Sequence, residues 1–492
     1  MPNPTRIVVV GGGISGLAAA WHLCRFAERT GRPLEVCVVE RGPRFGGRIG
    51  SERHGGFLVE TGPDSFLARK TETAELAGEL GLGDRLVPTA PERRRVWIVR
   101  HGRLVEIPPD MGSVLPCRLA PIFASELLSW RGKLRLSLDL ALPRRRAAGD
   151  ESLGAFLRRR FGRETVESLT GPLLAGIYMS EPETLSLAAT FPHLADIERR
   201  HGSVIRGLRA AARQAGAAHG GHPGRGGHDG PRDPHAHSAR VSLAGGVGEL
   251  VEALAAALGQ RAAARPARVN LRTGCGATEV VPTAGGWSVR LDDRSSLAAD
   301  TVVLACPAFA AADAVRPAAP RLAAALREVH HVSTAVVTLG LRTADLSRPL
   351  DGYGFVVPAG EGRHITACTW SSAKFEGRAA DGTALVRAFL GGPRGAHLMA
   401  REDAELVALA RHDLAELMGL EAEPLLALVH RHERGTPRYD VGHRERVAAM
   451  EAAAPPGLHL AGAAYGGIGI PDCIRSGRQA AERALAEVDR PC

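Results

Sequence analysis

The segment Val10-Gly-Gly-Gly-Ile-Ser-Gly-Leu17 decides how this chain is read. Gly11, Gly13 and Gly16 stand in the spacing G-x-G-x-x-G. The first glycine permits a tight turn, the second lets backbone approach a diphosphate, and the third lets a helix pack closely on a strand. The motif is weak alone, so its flanks matter. Residues 6–10 are a β-branched apolar run that suits a buried parallel strand. Leu17–Arg29 reads as a helix and Leu34–Val39 as a second strand, so a βαβ unit opens the chain. With Gly12, Ile14 and Ser15 inside the turn, the helix N-terminus would present free N–H groups and a partial positive charge to phosphates.

Glu40 ends the second predicted strand, 24 residues after Gly16. A carboxylate there can accept hydrogen bonds from ribose hydroxyls and would repel a 2′-phosphate, which argues against NADP. Arg41 follows it. Gly46-Gly47-Arg48 marks a second phosphate contact. At this distance from the fingerprint, the triplet resembles that of two-domain flavin oxidases, which implies FAD rather than NAD. In Glu60-Thr-Gly-Pro-Asp-Ser65, the Gly62-Pro63 turn would pass close to a flavin, with Asp64 and Ser65 beside it. Near the end, His459-Leu-Ala-Gly-Ala-Ala-Tyr-Gly-Gly-Ile-Gly-Ile-Pro-Asp-Cys-Ile474 reads as a strand, a glycine loop and a helix start. Gly462 would admit close cofactor approach, and Ile468, Gly469 and Ile470 would line the ring. Asp472 and the following helix would face the flavin oxygen that becomes negative on reduction. Ala277 joins this cofactor set.

Composition bounds the alternatives. With 492 residues, two or three domains are expected. The formal charge of +9 favours an anionic partner: a carboxylated substrate, a phosphate-bearing cofactor or an acidic membrane surface. No nucleic-acid motif accompanies it. Eight dispersed cysteines without a Cys-x-x-Cys pair fit a reducing cytoplasm, not a disulfide framework or a zinc site. No apolar run is long enough to span a bilayer. Residues 131–160 carry nine basic and three acidic residues, a net +6 with interspersed leucines. That segment is read either as a solvated helical face or as a peripheral contact with anionic lipid.

The chain divides by composition. Residues 111–215 show helical spacing broken by Pro116, Pro121, Pro143, Pro172 and Pro192. Residues 213–240 are rich in Gly, His and Pro and predict a flexible insertion. The glycines there fix no metal geometry, so no metal is assigned. Strands are predicted over 269–272, 278–281, 287–291 and 301–304, and helices over 401–420 and 477–488.

Further segments carry a family resemblance. They include Gly62-Pro-Asp-Ser-Phe-Leu-Ala-Arg-Lys70, Pro172-Leu-Leu-Ala-Gly-Ile-Tyr178, Pro437-Arg-Tyr-Asp-Val-Gly-His443 and Gly469-Ile-Pro-Asp-Cys-Ile474. Through them nearly the whole chain, the His-rich insertion excepted, resembles the oxygen-dependent protoporphyrinogen and coproporphyrinogen oxidases of the monoamine-oxidase-like flavoproteins. It is most similar to the Gram-positive branch. The resemblance implies an α/β fold in which a Rossmann-type FAD-binding domain receives a mixed-sheet substrate domain and a mostly helical domain. The expected division is 1–70, 240–310 and 430–492 for FAD, 71–110 and 311–429 for substrate, and 111–212 helical.

The resemblance also implies a tetrapyrrole substrate, oxygen as acceptor and hand-over of product to the next enzyme of haem synthesis. The flavin carries the chemistry, and no side chain is assigned a catalytic role. Lys70 is carried over as a propionate contact, and Tyr178 with Met179 would face the pocket. Two positions depart from the family pattern. Val96 aligns with a propionate-binding arginine of eukaryotic relatives, with Arg93, Arg94 and Arg95 just before it. His432 stands where bacterial relatives tend to carry tryptophan near the flavin. Flavin amine oxidases and carotenoid desaturases would share the N-terminal motifs but not the Ile-Pro-Asp-Cys-Ile segment. A flavin-binding assembly factor without turnover is the non-enzymatic alternative.

Overall fold

The computed structural model describes residues 3–90, 95–108, 111–112, 115–116, 118–147, 149–219, 240–262 and 266–488. Arg93, Arg94 and the His-rich tract 220–239 lie outside the described residues.

The β-branched run becomes the strand Thr5–Val10, at the centre of a five-stranded sheet. Its neighbours, in order, are Ala267–Arg272, Leu34–Val39, Thr5–Val10, Thr301–Leu304 and Leu458–Leu460, all parallel. The strand Thr301–Leu304 is buried throughout, as a sheet covered on both faces requires. The N-terminal helix, Ile14–Thr30, crosses back over one face and is crossed in turn by the C-terminal helix, Ile470–Val488. Gly477 makes that crossing close: a Cβ there would lie 2.2 Å from Ser15 O. The carboxyl ends of all five strands thus lie at one edge, where open α/β sheets hold ligands.

A seven-stranded mixed sheet forms a second layer system. Its order is Leu426–Pro437, His331–Arg342, Thr383–Gly391, Ile365–Trp370, Gly352–Val356, Arg95–Arg100 and Arg103–Glu106. Only the Gly352–Val356 and Arg95–Arg100 pair runs parallel. The helix Asp403–Met418, opened by a Glu402/Glu405 capping box, covers this sheet.

Between residues 120 and 219 the chain is mainly helical, with helices at Trp130–Ser137, Leu153–Phe161, Gly171–Tyr178, Pro192–His201 and Val204–His219. Ser129, Ser152 and Ser186 cap their helices by accepting from Gly132, Ala155 and Ala189 N–H groups. Pro121, Pro172 and Pro192, expected as breaks, instead open helices, where the missing N–H costs nothing.

Two boundaries differ from expectation. The stretch 213–219, assigned to the insertion, continues the Val204–His219 helix. Its alanines, arginine and glutamine are good helix formers. The last helix begins at Ile470, not at residue 477, because Pro471 is tolerated in a first turn and Gly477 marks a packing contact rather than a terminus. Among the described residues, no helix is long and apolar enough to cross a membrane.

Candidate functional site: a dinucleotide cradle beside a buried polar cluster

The three glycines of the fingerprint meet three different constraints. Gly11 has φ +109°, and a Cβ on it would lie 2.8 Å from the Ala305 and Cys306 backbone. Gly16 has no room either: a Cβ would fall 1.9 Å from Gly11 O, so the helix rests directly on the turn. Gly13 is the helix N-cap, and a Cβ there would meet nothing within 4 Å. Ile14 and Ser15 are buried in the first turn, which carries no acidic side chain. Space is therefore open beside the Gly13 N-cap.

Glu40 stands at the carboxyl end of the next strand. Its Oε2 accepts from Gly12 N at 2.7 Å and its Oε1 from Gly42 N at 2.7 Å. A carboxylate has about four lone-pair sites, so two remain for ribose hydroxyls. Arg41 and Ala277 come together here across Gly276, whose added Cβ would lie 2.6 Å from Arg41 Nε.

The Gly46–Arg48 segment lies against the cradle: Gly46 N donates to Gly12 O at 2.8 Å, and a Gly47 Cβ would touch Gly13 Cα at 3.4 Å. Arg48 is half-buried, and burial lowers its pKa from the ordinary value. Its side chain reaches Arg434 O at 3.4 Å but forms no ion pair with a described carboxylate. Open space at a helix N-cap, a ribose-type carboxylate and an unneutralised arginine fit a dinucleotide such as FAD.

Gly62 ties the next turn to this segment, since a Cβ on it would lie 2.0 Å from Arg48 O. Pro63 is exposed. Asp64 is bound at 2.8 Å through both oxygens to Lys374 Nζ, and Ser65 Oγ donates to it at 2.7 Å. His432 Nε2 donates to Thr61 O at 2.8 Å. It shares a cleft of about 440 Å³ with Gly47, Arg48 and Thr61. Burial lowers its pKa, so the ring is neutral with Nδ1 left as an acceptor.

The C-terminal loop is held at both ends. Gly462 N donates to Ser476 Oγ at 3.0 Å; Tyr439 Oη donates to Ala463 O at 2.6 Å and accepts from Gly467 N at 2.7 Å. Ile468 and Gly469 are partly exposed along this loop, while Ile470 is buried against the N-terminal helix.

Asp472 does not stand free. Lys70 Nζ donates to its two oxygens at 2.7 and 2.6 Å, and Arg475 also pairs with it. Burial, with Asp472 nearby, pushes the Tyr178 phenol up to about 12, so the ring is a neutral contact. Tyr178 meets Phe191 edge-on, with centroids 5.8 Å apart. Lys70, Asp472 and Tyr178 thus converge, whereas Arg95 is turned outward to Asp351 at 3.0 Å.

Several polar groups escaped the sequence reading. Lys374, Arg378 and Arg387 are buried behind the Glu60–Ser65 turn, with side chains 8%, 1% and 1% exposed. A signal existed for Arg387, which interrupts the apolar run Ala384-Leu-Val-Arg-Ala-Phe-Leu390. Tyr439 gave none beyond its place in a resembling segment.

A parallel sheet with this cradle, joined to a large mixed sheet, is the architecture of a dinucleotide-binding flavoprotein. The family model described as flavin containing amine oxidoreductase matches residues 14–485, and the chain belongs to that family of FAD-dependent oxidoreductases. It is 33% identical over 485 residues to the coproporphyrinogen III oxidase of Bacillus subtilis, covering 98% of each chain. It is 37% identical over 498 residues to that of Propionibacterium freudenreichii, covering 98% and 90%. The protoporphyrinogen oxidase of Bos taurus is 34% identical over 514 residues, with 97% and 98% covered. A crystal structure from Exiguobacterium sp., assigned as a protoporphyrinogen oxidase, superposes over 100% of both chains at TM-score 0.82 and 30% identity. Putrescine oxidase shares the fold at TM-score 0.67 and 18% identity.

Proposed function

We propose that this chain binds FAD in the cradle described above and oxidises coproporphyrinogen III to coproporphyrin III. Six electrons and six hydrogens leave the macrocycle in three rounds, and three oxygen molecules become three of hydrogen peroxide. The observation that carries this reading is the full-length similarity to coproporphyrinogen III oxidases, 33% and 37% identical. FAD, when bound, supplies the two-electron acceptor of each round.

The remaining roles belong to side chains. Gly11–Gly16 and Arg48 would hold the diphosphate, and Glu40 the ribose. Ala277 and Arg41 would border the adenosine end. The turns at Gly62–Ser65 and Gly462–Ile470, with His432, would bound the ring. Arg69 and Lys70 form a cationic edge, and Tyr178 an aromatic wall for the macrocycle. Lys70 is neutralised by Asp472 at 2.6 Å, so a propionate would have to compete with that carboxylate, while Arg69 beside it is exposed.

Oxygen uptake and porphyrin fluorescence, measured on the purified yellow protein with coproporphyrinogen III and separately with protoporphyrinogen IX, test the reading. Faster turnover of the tetrapropionate is expected. Faster turnover of protoporphyrinogen IX would assign the enzyme to the dipropionate instead. Bound FAD with neither substrate turned over would overturn the porphyrinogen reading.

A further inference from the structure

Behind the Glu60–Ser65 turn lies a group of buried charges that the cradle does not use. Two carboxylates, Glu60 and Asp64, face three cations, Lys374, Arg378 and Arg387. Four of the five form ion pairs, although Arg378 Nη1, like Arg387 Nε, has no hydrogen-bond partner among the described residues. Lys374 holds Asp64 at 2.8 Å through both oxygens. Arg378 lies 3.5 Å from Glu60, which also accepts from Ser51 Oγ and Val247 N at 2.6 and 3.0 Å. Arg387 is the remainder. It reaches Asp64 only at 3.8 Å, donates to Gly62 O, and its buried Nε has no hydrogen-bond partner among the described residues. Burial lowers its pKa, with Asp64 and Glu60 opposing, yet a guanidinium stays charged in a protein.

The cluster therefore carries one positive charge in excess, and that excess adjoins the cradle by direct contact. Arg387 bonds Gly62 O, Gly62 packs on Arg48 O, and the Gly46–Arg48 segment packs on Gly12 and Gly13. A two-electron, one-proton reduction leaves a flavin ring with a negative charge. A fixed cation in a low-dielectric surround stabilises that state without reorganising.

We propose that Arg387, as the uncompensated cation behind the Thr61–Ser65 turn, tunes the bound flavin toward easier reduction. This rests on the reading that the cradle holds FAD beside that turn. Arg387 acts through the field and need not touch the cofactor, so it is a positioning and tuning residue. The arrangement also separates charge from scaffold. Removing Arg387 leaves Lys374 with Asp64 and Arg378 with Glu60, both balanced, and relieves an unsatisfied buried donor.

The experiment is reductive titration of the holoenzyme against a dye of known potential, with sulfite-adduct affinity as a second readout and melting temperature as a third. Arg387→Met is the main variant. Arg387→Gln keeps a donor toward Gly62 O without the charge, and Arg387→Lys keeps the charge. Met and Gln are each expected to lower the reduction equilibrium constant about tenfold, which is about 30 mV for a two-electron couple, and to weaken sulfite binding alike, without lowering the melting temperature. Lys should behave as wild type. Unchanged potentials in Met and Gln overturn the proposal, as does a fall in melting temperature with the potential intact, which would make Arg387 purely structural. A wild-type protein that binds no FAD overturns the flavin reading and the proposal with it.

Discussion

Three guanidinium groups among the described residues are removed from water, Arg160 in the helical region and Arg378 and Arg387 behind the Glu60–Ser65 turn, with side chains 0%, 1% and 1% exposed. The surroundings of Arg160 and Arg387 differ. Arg160 bonds Asp139 through Nε at 2.5 Å, the carbonyls of Asp139 and Gly202 through Nη2 at 2.8 Å each, and Pro143 O and Glu198 through Nη1 at 3.1 and 3.3 Å. Every nitrogen has an acceptor. Arg387 has one carbonyl and a distant carboxylate. A satisfied buried charge is an ordinary structural device, whereas an under-satisfied one costs stability and calls for a function that keeps it. The contrast separates scaffold from site more sharply than burial does.

Breaking the satisfied group should give the largest effect. Arg160→Met leaves Asp139 buried without its cation and frees Glu198 from one of its two arginines. A loss of about 3–5 kcal/mol is expected in urea unfolding. A loss under about 1 kcal/mol would place Arg160 with Arg387 and remove the contrast.

The second effect is on acid stability and concerns Asp64. Burial pushes its pKa up, but Lys374 and Arg387 more than offset this and hold it well below the ordinary 3.8. As pH falls below about 4, the unfolded chain takes up a proton that the folded chain refuses, so folding weakens. The contribution is complete above the unfolded value and is lost as pH drops toward the folded one. Urea midpoints between about pH 5 and 3 should fall steeply for wild type and less steeply for Asp64→Asn. Parallel curves would show that Asp64 is not held by the two cations.

Much of the glycine cradle was legible because it is largely local. Gly11, Gly13, Gly16 and Glu40 lie within one βαβ unit, where Gly16 rests on Gly11 O and Glu40 bonds Gly12 N, although Gly11 is also crowded by the distant Ala305 and Cys306 backbone. The strand Thr301–Leu304 and the Gly462–Ile470 loop were readable from apolar runs and glycine punctuation. The polar cluster was not, since Asp64 and Lys374 are 310 positions apart and only the packing of two sheets brings them together. The same holds for Lys70 and Asp472, 402 apart, where the sequence shows a free cation and the fold shows a pair. The Arg-rich segment 131–160 is only partly a surface, for a related reason. Summed as charge it reads as a +6 surface, but Arg160 is internal, Arg135 donates to carbonyls of Arg158, Arg159 and Arg160, and Arg159 binds Glu198 and Glu151. Net charge along a chain does not say which side chains face water.

That segment supplies the smallest effect, in a comparison of consecutive arginines. Arg158 pairs with Glu183 at 2.7 Å, a shorter contact than several made by Arg160, yet the two side chains are 46% and 43% exposed. Water at such a pair screens the attraction and solvates each partner when the other is removed, and two long side chains lose freedom to hold one geometry. Arg158→Gln should therefore shift unfolding by no more than about 0.5 kcal/mol, two positions from a residue whose loss costs several. If Arg158→Gln instead destabilised as much as Arg160→Met, short distance rather than desolvation would govern these pairs. Satisfied bonding at Arg160 and unsatisfied bonding at Arg387 would then no longer distinguish scaffold from site.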